Sequence, residues 1–259
     1  MAEGAAPLVA VSGLSKEFAG KRVLDGVDLS LRRGRAHAVV GPSSAGKTVL
    51  LKCILGLYRP DGGTVSFDGR PADELDRAER DRLADRLGVV FQRNALFDSL
   101  PVWENVAFRL LQRRGRDRQE VRRLAIEKLA LFGLAERVAD RYPAELSGGM
   151  QKRVALARAF ATDPDVLLLD APTDGLDPIL TRRSNELIRA QAVEQDTTIL
   201  AVVTDMPAAL EYFDDITMLH EGRLVWSGTT ADAREADEPR LRQLLAGSSE
   251  GPIRMAVRT

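Results

Sequence analysis

The 259-residue sequence predicts an α/β fold: a buried parallel sheet, an antiparallel β patch and a helical subdomain inserted into the core. Three observations predict it. The short apolar runs "RAHAVVG", "DVLLLDAP" and "TTILAVVTD" end in turn chemistry and suit strands buried on both faces. Other segments alternate apolar and polar residues between glycines and aspartates, as hairpins do. Residues 93–145 differ from both, being rich in charges and helix formers.

In chain order, "LVAVSGLSKEF", "RVLDGVDLSL" and "GTVSFDG" form the antiparallel patch. "AHAVV" is a buried strand that runs into "GPSSAGKT" and then into "VLLKCILGL", which has helical character. Within the helical insertion, Val121, Ala125, Leu129 and Phe132 recur at helical spacing and set one face against a core. "DVLLLDAP" and "TTILAVVTD" add buried strands, and "MLHEGRLV" reads as a hairpin. The expected organisation is a core of residues 1–92 and 146–230, an inserted helical subdomain at 93–145 and a tail at 231–259. That tail is helical near "EPRLRQLLAG", irregular beyond it, and a candidate dimer contact.

Composition narrows the function classes. With 37 Lys+Arg against 38 Asp+Glu the charge is nearly balanced, which argues against a nucleic-acid partner, because binding a phosphate backbone needs a basic surface. The single cysteine, Cys53, excludes an internal disulfide framework and a cysteine zinc cluster, and reads as a small core residue. No stretch approaches the ~18 apolar residues that cross a bilayer. No apolar run behind a basic start marks a secretory signal, so the cytosol is expected and any membrane work goes through a partner.

Gly41, Pro42, Ser43, Ser44, Ala45, Gly46, Lys47 and Thr48 spell G-x-x-x-x-G-K-[ST], in the strand–loop–helix context that this motif requires. Glycines let backbone N–H groups turn inward around phosphate oxygens, and the helix start, with Val49, adds its positive end. Lys47 reaches the β- and γ-phosphates, and the Thr48 hydroxyl ligates Mg²⁺. Asp170 closes the apolar run Val166–Leu169, where a protein with such a cradle holds Mg²⁺. The expected occupant is the phosphate chain of a nucleotide with Mg²⁺.

One further segment, "ELSGGMQKRVALARAF" from Glu145 to Phe160, resembles the LSGGQ-type signature and helix of ABC-transporter ATPases. Stations before and after it match that family in order, over about residues 8 to 230. The resemblance implies the ABC ATPase architecture, a P-loop NTPase core of RecA-like type. It implies that Ser147, Gly148 and Gly149 contact the γ-phosphate held by a second ATPase protomer, so that two ATPs are closed between two domains. Phe18 resembles the aromatic that stacks on adenine, a core aromatic being the other reading. Gln92 resembles the glutamine that senses Mg²⁺ and the attacking water. The catalytic candidates are then Gln92 and Asp170, and the metal ligands Thr48, Gln92 and Asp170. "DGLD", Asp174 to Asp177, resembles the loop that crosses the dimer interface.

Two segments, "FQRNALFDSLPVWENVAFRL" and "EPRLRQLLAGSSEGPI", resemble the ATPase subunit of bacterial Mla/Mce-type lipid transporters. The partners this implies are an integral-membrane permease and a lipid-binding protein with an Mce domain, with the ATPase at the cytoplasmic face of the inner membrane. A permease helix is expected to dock around Phe97, Leu100, Val102 and Trp103. The alternative is that these residues form the insertion's own core.

Two groups of the family's site are missing. Directly after the Mg²⁺ aspartate the family has a glutamate and this chain has Ala171. At the family's switch histidine this chain has Thr204, followed by Asp205. The two histidines, His37 and His220, stand elsewhere and fit neither role. A positioned general base contributes about 10²–10⁴ in rate, and groups that act on one water are not additive. MgATP binding should persist while cleavage is poor. One reading is the degenerate half of a heterodimer whose partner supplies glutamate and histidine. Another is an active homodimer, for lipid or another substrate, in which Asp174 or Asp205 assists the water. A protein engineered to trap ATP would need only Ala171, which leaves Thr204 unaccounted for. A soluble ABC protein of translation or DNA repair needs two ATPase halves or a long coiled insertion, and the chain has room for neither.

Overall fold

The computed structural model describes residues 7–113 and 115–253. In chain order it begins with β1 (Val9–Phe18), β2 (Lys21–Leu31), β3 (Ala36–Val40), α1 (Lys47–Ile54), β4 (Gly62–Phe67) and β5 (Arg70–Pro71). Next come α2 (Arg77–Asp85), β6 (Leu87–Val90), α3 (Val102–Gln112), α4 (Arg118–Leu131), α5 (Gly148–Ala159), β7 (Val166–Asp170) and α6 (Pro178–Gln195). β8 (Thr198–Val202), α7 (Met206–Tyr212), β9 (Asp215–His220), β10 (Arg223–Thr229), α8 (Thr230–Glu235) and α9 (Pro239–Ala246) follow. The chain forms two compact units, Met1–Leu75 with Leu200–Thr259, and Asp76–Ile199. The expected helical subdomain at 93–145 therefore lies inside the second unit, together with α2, β6, α5, β7 and α6. The tail beyond residue 253 lies outside the described residues.

In the first unit the antiparallel patch has the order β2-β1-β4-β5. Its tight turns explain why the hairpins were legible. Ala19–Gly20 (φ 47 and 78) and Asp68–Gly69 (φ 50 and 77) are both left-handed pairs, the two-residue turn that matches strand twist. Glu221–Gly222 (φ 47 and 78) repeats it between β9 and β10. β3 lies parallel to β9, and every residue of β3 is buried. Arg35 pins its start, donating from Nε (2.7 Å) and Nη2 (2.9 Å) to the Asp215 carboxylate. His37, inside this strand, is satisfied by Thr217 Oγ1 at 2.6 Å, which in turn meets Ser227 Oγ at 2.9 Å. Burial pushes the imidazole pKa down to about 4, so it is neutral near pH 7.

In the second unit β6 and β7 pair in parallel, from Leu87 with Val166 to Val90 with Leu169. α3, α4 and α5 pack on one another, and the stripe Val121, Ala125, Leu129 and Phe132 is buried as its spacing predicts. Phe132 meets Phe160 edge-on at 5.2 Å. Asn105, fully buried, ties down the preceding loop: its side chain accepts from Phe97 N (2.7 Å) and donates to the carbonyls of Phe97 and Leu100. Val102 and Trp103, expected at the permease contact, are 0 % and 6 % exposed, so they belong instead to the internal core and do not offer side chains to a partner. Phe97 stays 42 % exposed, its ring 4.4 Å from that of Phe108.

Candidate functional site

β3 delivers the phosphate cradle. Gly41 leaves the strand at φ 144, and a Cβ there would lie 2.1 Å from the Leu219 carbonyl oxygen. Only glycine fits that approach. Ser44 (φ 67) and Gly46 (φ 106) then turn the loop into α1. Gly46 is the N-cap of α1, and it has no side chain to occupy the positive end of the helix. The Lys47 ammonium folds back over the loop and donates to the carbonyls of Gly41 (2.7 Å) and Pro42 (2.8 Å). Around it opens a cavity of about 640 Å³, lined by residues 42–49, by Lys21, Arg22 and Val23, by the turn His220–Gly222 and by Ile253. The turn is anchored on the cradle, with Gly222 N–H donating to the Ala45 carbonyl at 3.1 Å. A loop of bare backbone, a lysine at its mouth and further basic residues in the wall fit the phosphates of a nucleotide.

The remaining stations of this unit are placed less uniformly. Phe18 ends β1 with its ring edge-on to Tyr58, centroids 5.2 Å apart, and is 39 % exposed. It does not line the cavity, which its hairpin reaches through Lys21, Arg22 and Val23 instead. Val203 N–H donates to the Val39 carbonyl (3.1 Å), so Thr204 and Asp205 leave β8 beside the strand that feeds the cradle. Both are exposed. Asp205 is the N-cap of α7, yet its carboxylate makes no capping hydrogen bond. His220 was set aside on sequence position and nevertheless sits in the cavity wall, because the β9–β10 turn packs on the cradle.

The second unit holds the other stations. β7 is wholly buried and ends in Asp170, which is 2 % exposed. Ala171 follows in a left-handed conformation (φ 50), 4 % exposed, and its methyl can neither accept a proton nor orient water. Gln92 stands after β6 with an exposed side chain, while its backbone carbonyl accepts from Lys152 Nζ at 3.0 Å. Ser147 N-caps α5, its Oγ accepting from Met150 N at 3.3 Å. A Cβ on Gly148 would meet nothing within 4 Å, and one on Gly149 would make ordinary contact with Leu176 at 3.6 Å. The protomer itself thus makes no steric demand for these glycines.

Lys152 went unnoticed in the sequence. It falls in phase with Ala155, Leu156 and Ala159, all buried, and a lysine on such a stripe was the available signal.

The profile of the ABC transporter family matches residues 24–174. The probable ribonucleotide transport ATP-binding protein mkl of Mycobacterium tuberculosis is 38% identical over 248 residues, covering 96% of this chain and 69% of that protein. Protein TRIGALACTOSYLDIACYLGLYCEROL 3, chloroplastic, of Arabidopsis thaliana is 38% identical over 263 residues, covering 95% and 76%. The sulfate/thiosulfate import ATP-binding protein CysA of Bordetella pertussis is 40% identical over 229 residues, covering 88% and 63%. Among solved structures, the dimer of MJ0796, a bacterial ABC transporter cassette, matches with a TM-score of 0.81 at 30% identity, over 86% of this chain and 98% of that one. Its post-hydrolysis dimer bound to ADP and Pi matches at 0.80, with the same identity and coverage.

Proposed function

This chain belongs to the ABC transporter family as an ATP-binding subunit, and on that premise we propose that it grips MgATP in the Gly41–Thr48 cradle and is closed by the Ser147–Gly149 loop of a second protomer. The cradle carries this reading: Gly41 admits no side chain, Lys47 crosses the loop, and the helix start behind Gly46 is uncapped by any side chain. The family resemblance assigns Mg²⁺ to Thr48, Gln92 and Asp170, whose side chains carry the oxygen donors that a hard cation takes. Phe18 keeps an exposed ring but stands outside the cavity, so its assignment to the adenine rests on the family resemblance alone.

Cleavage is the step the chain does poorly. Ala171 and Thr204 replace the two groups that act on the attacking water, a loss of about 10²–10⁴ in rate for the base alone. Hydrolysis is therefore impaired, or falls to a composite site in which another ATPase supplies glutamate and histidine and this chain supplies its signature loop. One observation favours a second reading, a homodimer with its own chemistry: the Asp205 carboxylate, at the end of β8, is not used as a helix cap. Loss of all ATPase activity in Asp205→Asn would support that reading, and unchanged activity would remove it.

The cargo we assign is lipid or phospholipid, moved by an Mla/Mce-type complex of permease and Mce-domain protein. The two segments that resemble such ATPases support this, as does the galactolipid in the name of the Arabidopsis relative. The names of the mycobacterial and Bordetella relatives point to ribonucleotide and to sulfate. No helix among the described residues is long and apolar enough to cross a membrane, so attachment at the cytoplasmic face is assigned to the permease. The half-exposed Phe97–Phe108 pair, at the edge of the 93–145 subdomain, is the docking point we assign to it.

Co-purification with the native membrane partner tests the whole reading. ATPase activity of that complex should rise by about 10²–10⁴ when Ala171→Glu and Thr204→His are introduced together. Lipid should be the cargo extracted with it. A complex with this chain as its only ATPase that already cleaves ATP at full rate, or a complex that yields no lipid, would contradict the respective half.

A further inference from the structure

α5 holds the loop after β6 with two cations, the buried Lys152 and the half-buried Arg158. Lys152 Nζ donates to the Gln92 carbonyl (3.0 Å), and Arg158 donates from Nη1 to the Ala95 carbonyl and from Nη2 to the Asn94 carbonyl, both at 2.6 Å. Asn94 (φ 62) and Ala95 (φ 49) are consecutive left-handed residues, and neither is glycine. Such backbone persists only where its surroundings over-determine it. Lys152 makes one bond more, to the carbonyl of Ala171 at 3.2 Å, which is also left-handed. The same ammonium thus joins the Gln92 loop to the position directly after Asp170.

Stability alone does not explain a lysine here. Its side chain is 4 % exposed, and burial lowers its pKa, with Asp174 and Asp170 opposing that shift. An apolar side chain of similar volume would pack without losing the hydration of a charge. What the lysine adds is donors, aimed at two carbonyls that lie far apart in sequence.

We propose that Lys152 is a positioning residue that ties the Gln92 loop to the strand end at Ala171, with Arg158 as the loop's second anchor. The loop, position 171 and the helix that starts at the signature then move as one body. A partner that displaces the loop near Phe97 displaces the signature through α5. This rests on the proposed function only for the roles of Gln92 and position 171.

Hydrogen exchange of the full-length chain tests it, with MgATP binding measured on the same samples. Lys152→Met should speed exchange by about ten-fold in both segments 91–97 and 170–176, while the cradle at 41–50 exchanges as in the wild type. Lys152→Arg keeps the donors and should restore both segments. Wild-type exchange in Lys152→Met, faster exchange in only one of the two segments, or faster exchange throughout the chain would overturn the proposal. Should Lys152→Met not fold, Lys152→Leu, which also has no donor, carries the same comparison. A wild-type chain that binds no MgATP would sink the proposed function instead and leave the exchange comparison intact.

Discussion

At the scale of single residues, the cradle and the missing groups do different work. Lys47 places its ammonium at the mouth of the loop through two carbonyl bonds. Charge-assisted hydrogen bonds contribute about 1.5–3 kcal/mol each, so Lys47→Ala should weaken MgATP binding by roughly ten- to a hundred-fold in calorimetry. His37 makes a prediction about pH. Its unfolded imidazole titrates near 6.5, while the buried one waits until about 4. Between those values the unfolded chain binds the extra proton, so this contribution to stability is complete above pH 6.5 and is lost as pH falls. The loss reaches roughly 3 kcal/mol near pH 4. Denaturant unfolding at a series of pH values should show a shallower acid decline in His37→Gln than in the wild type. An equal decline in both would exclude His37 as a source.

Elements were legible in proportion to how strongly burial patterned them. β3, β7 and β8 are buried throughout, and their unbroken apolar runs announced it. The α4 stripe was equally plain. α2 buries no residue at all, and only the capping box of Asp76 with Glu79 marks it in a stretch of charges. Val102 and Trp103 were ambiguous because the apolar face of a short helix looks the same whether it meets a core or a partner. The two kinds of glycine make a sharper prediction. Gly41→Ala forces a side chain onto a backbone oxygen at positive φ, and should cost about 2 kcal/mol or more and abolish nucleotide binding. Gly148→Ala meets nothing in the protomer. It should leave stability unchanged or raise it by up to about 1 kcal/mol, while weakening ATP-dependent dimerisation. Thermal melts with and without MgATP, read beside sedimentation, separate the two outcomes.

At the scale of the whole molecule, the stations are shared between two compact units and, in the proposed assembly, between two protomers. The order of motifs along the chain made the family readable. Phe18, His220 and Lys152 show the limit: which side chains line a cavity or bridge two loops depends on packing that no local pattern encodes. The central claim is that this chain takes up MgATP and, by itself, scarcely cleaves it. The most direct measurement is to mix the purified chain with MgATP, remove free nucleotide and identify what stays bound. Intact ATP, close to one per chain, is the expected result. Retention of ADP, or of no nucleotide at all, would contradict it.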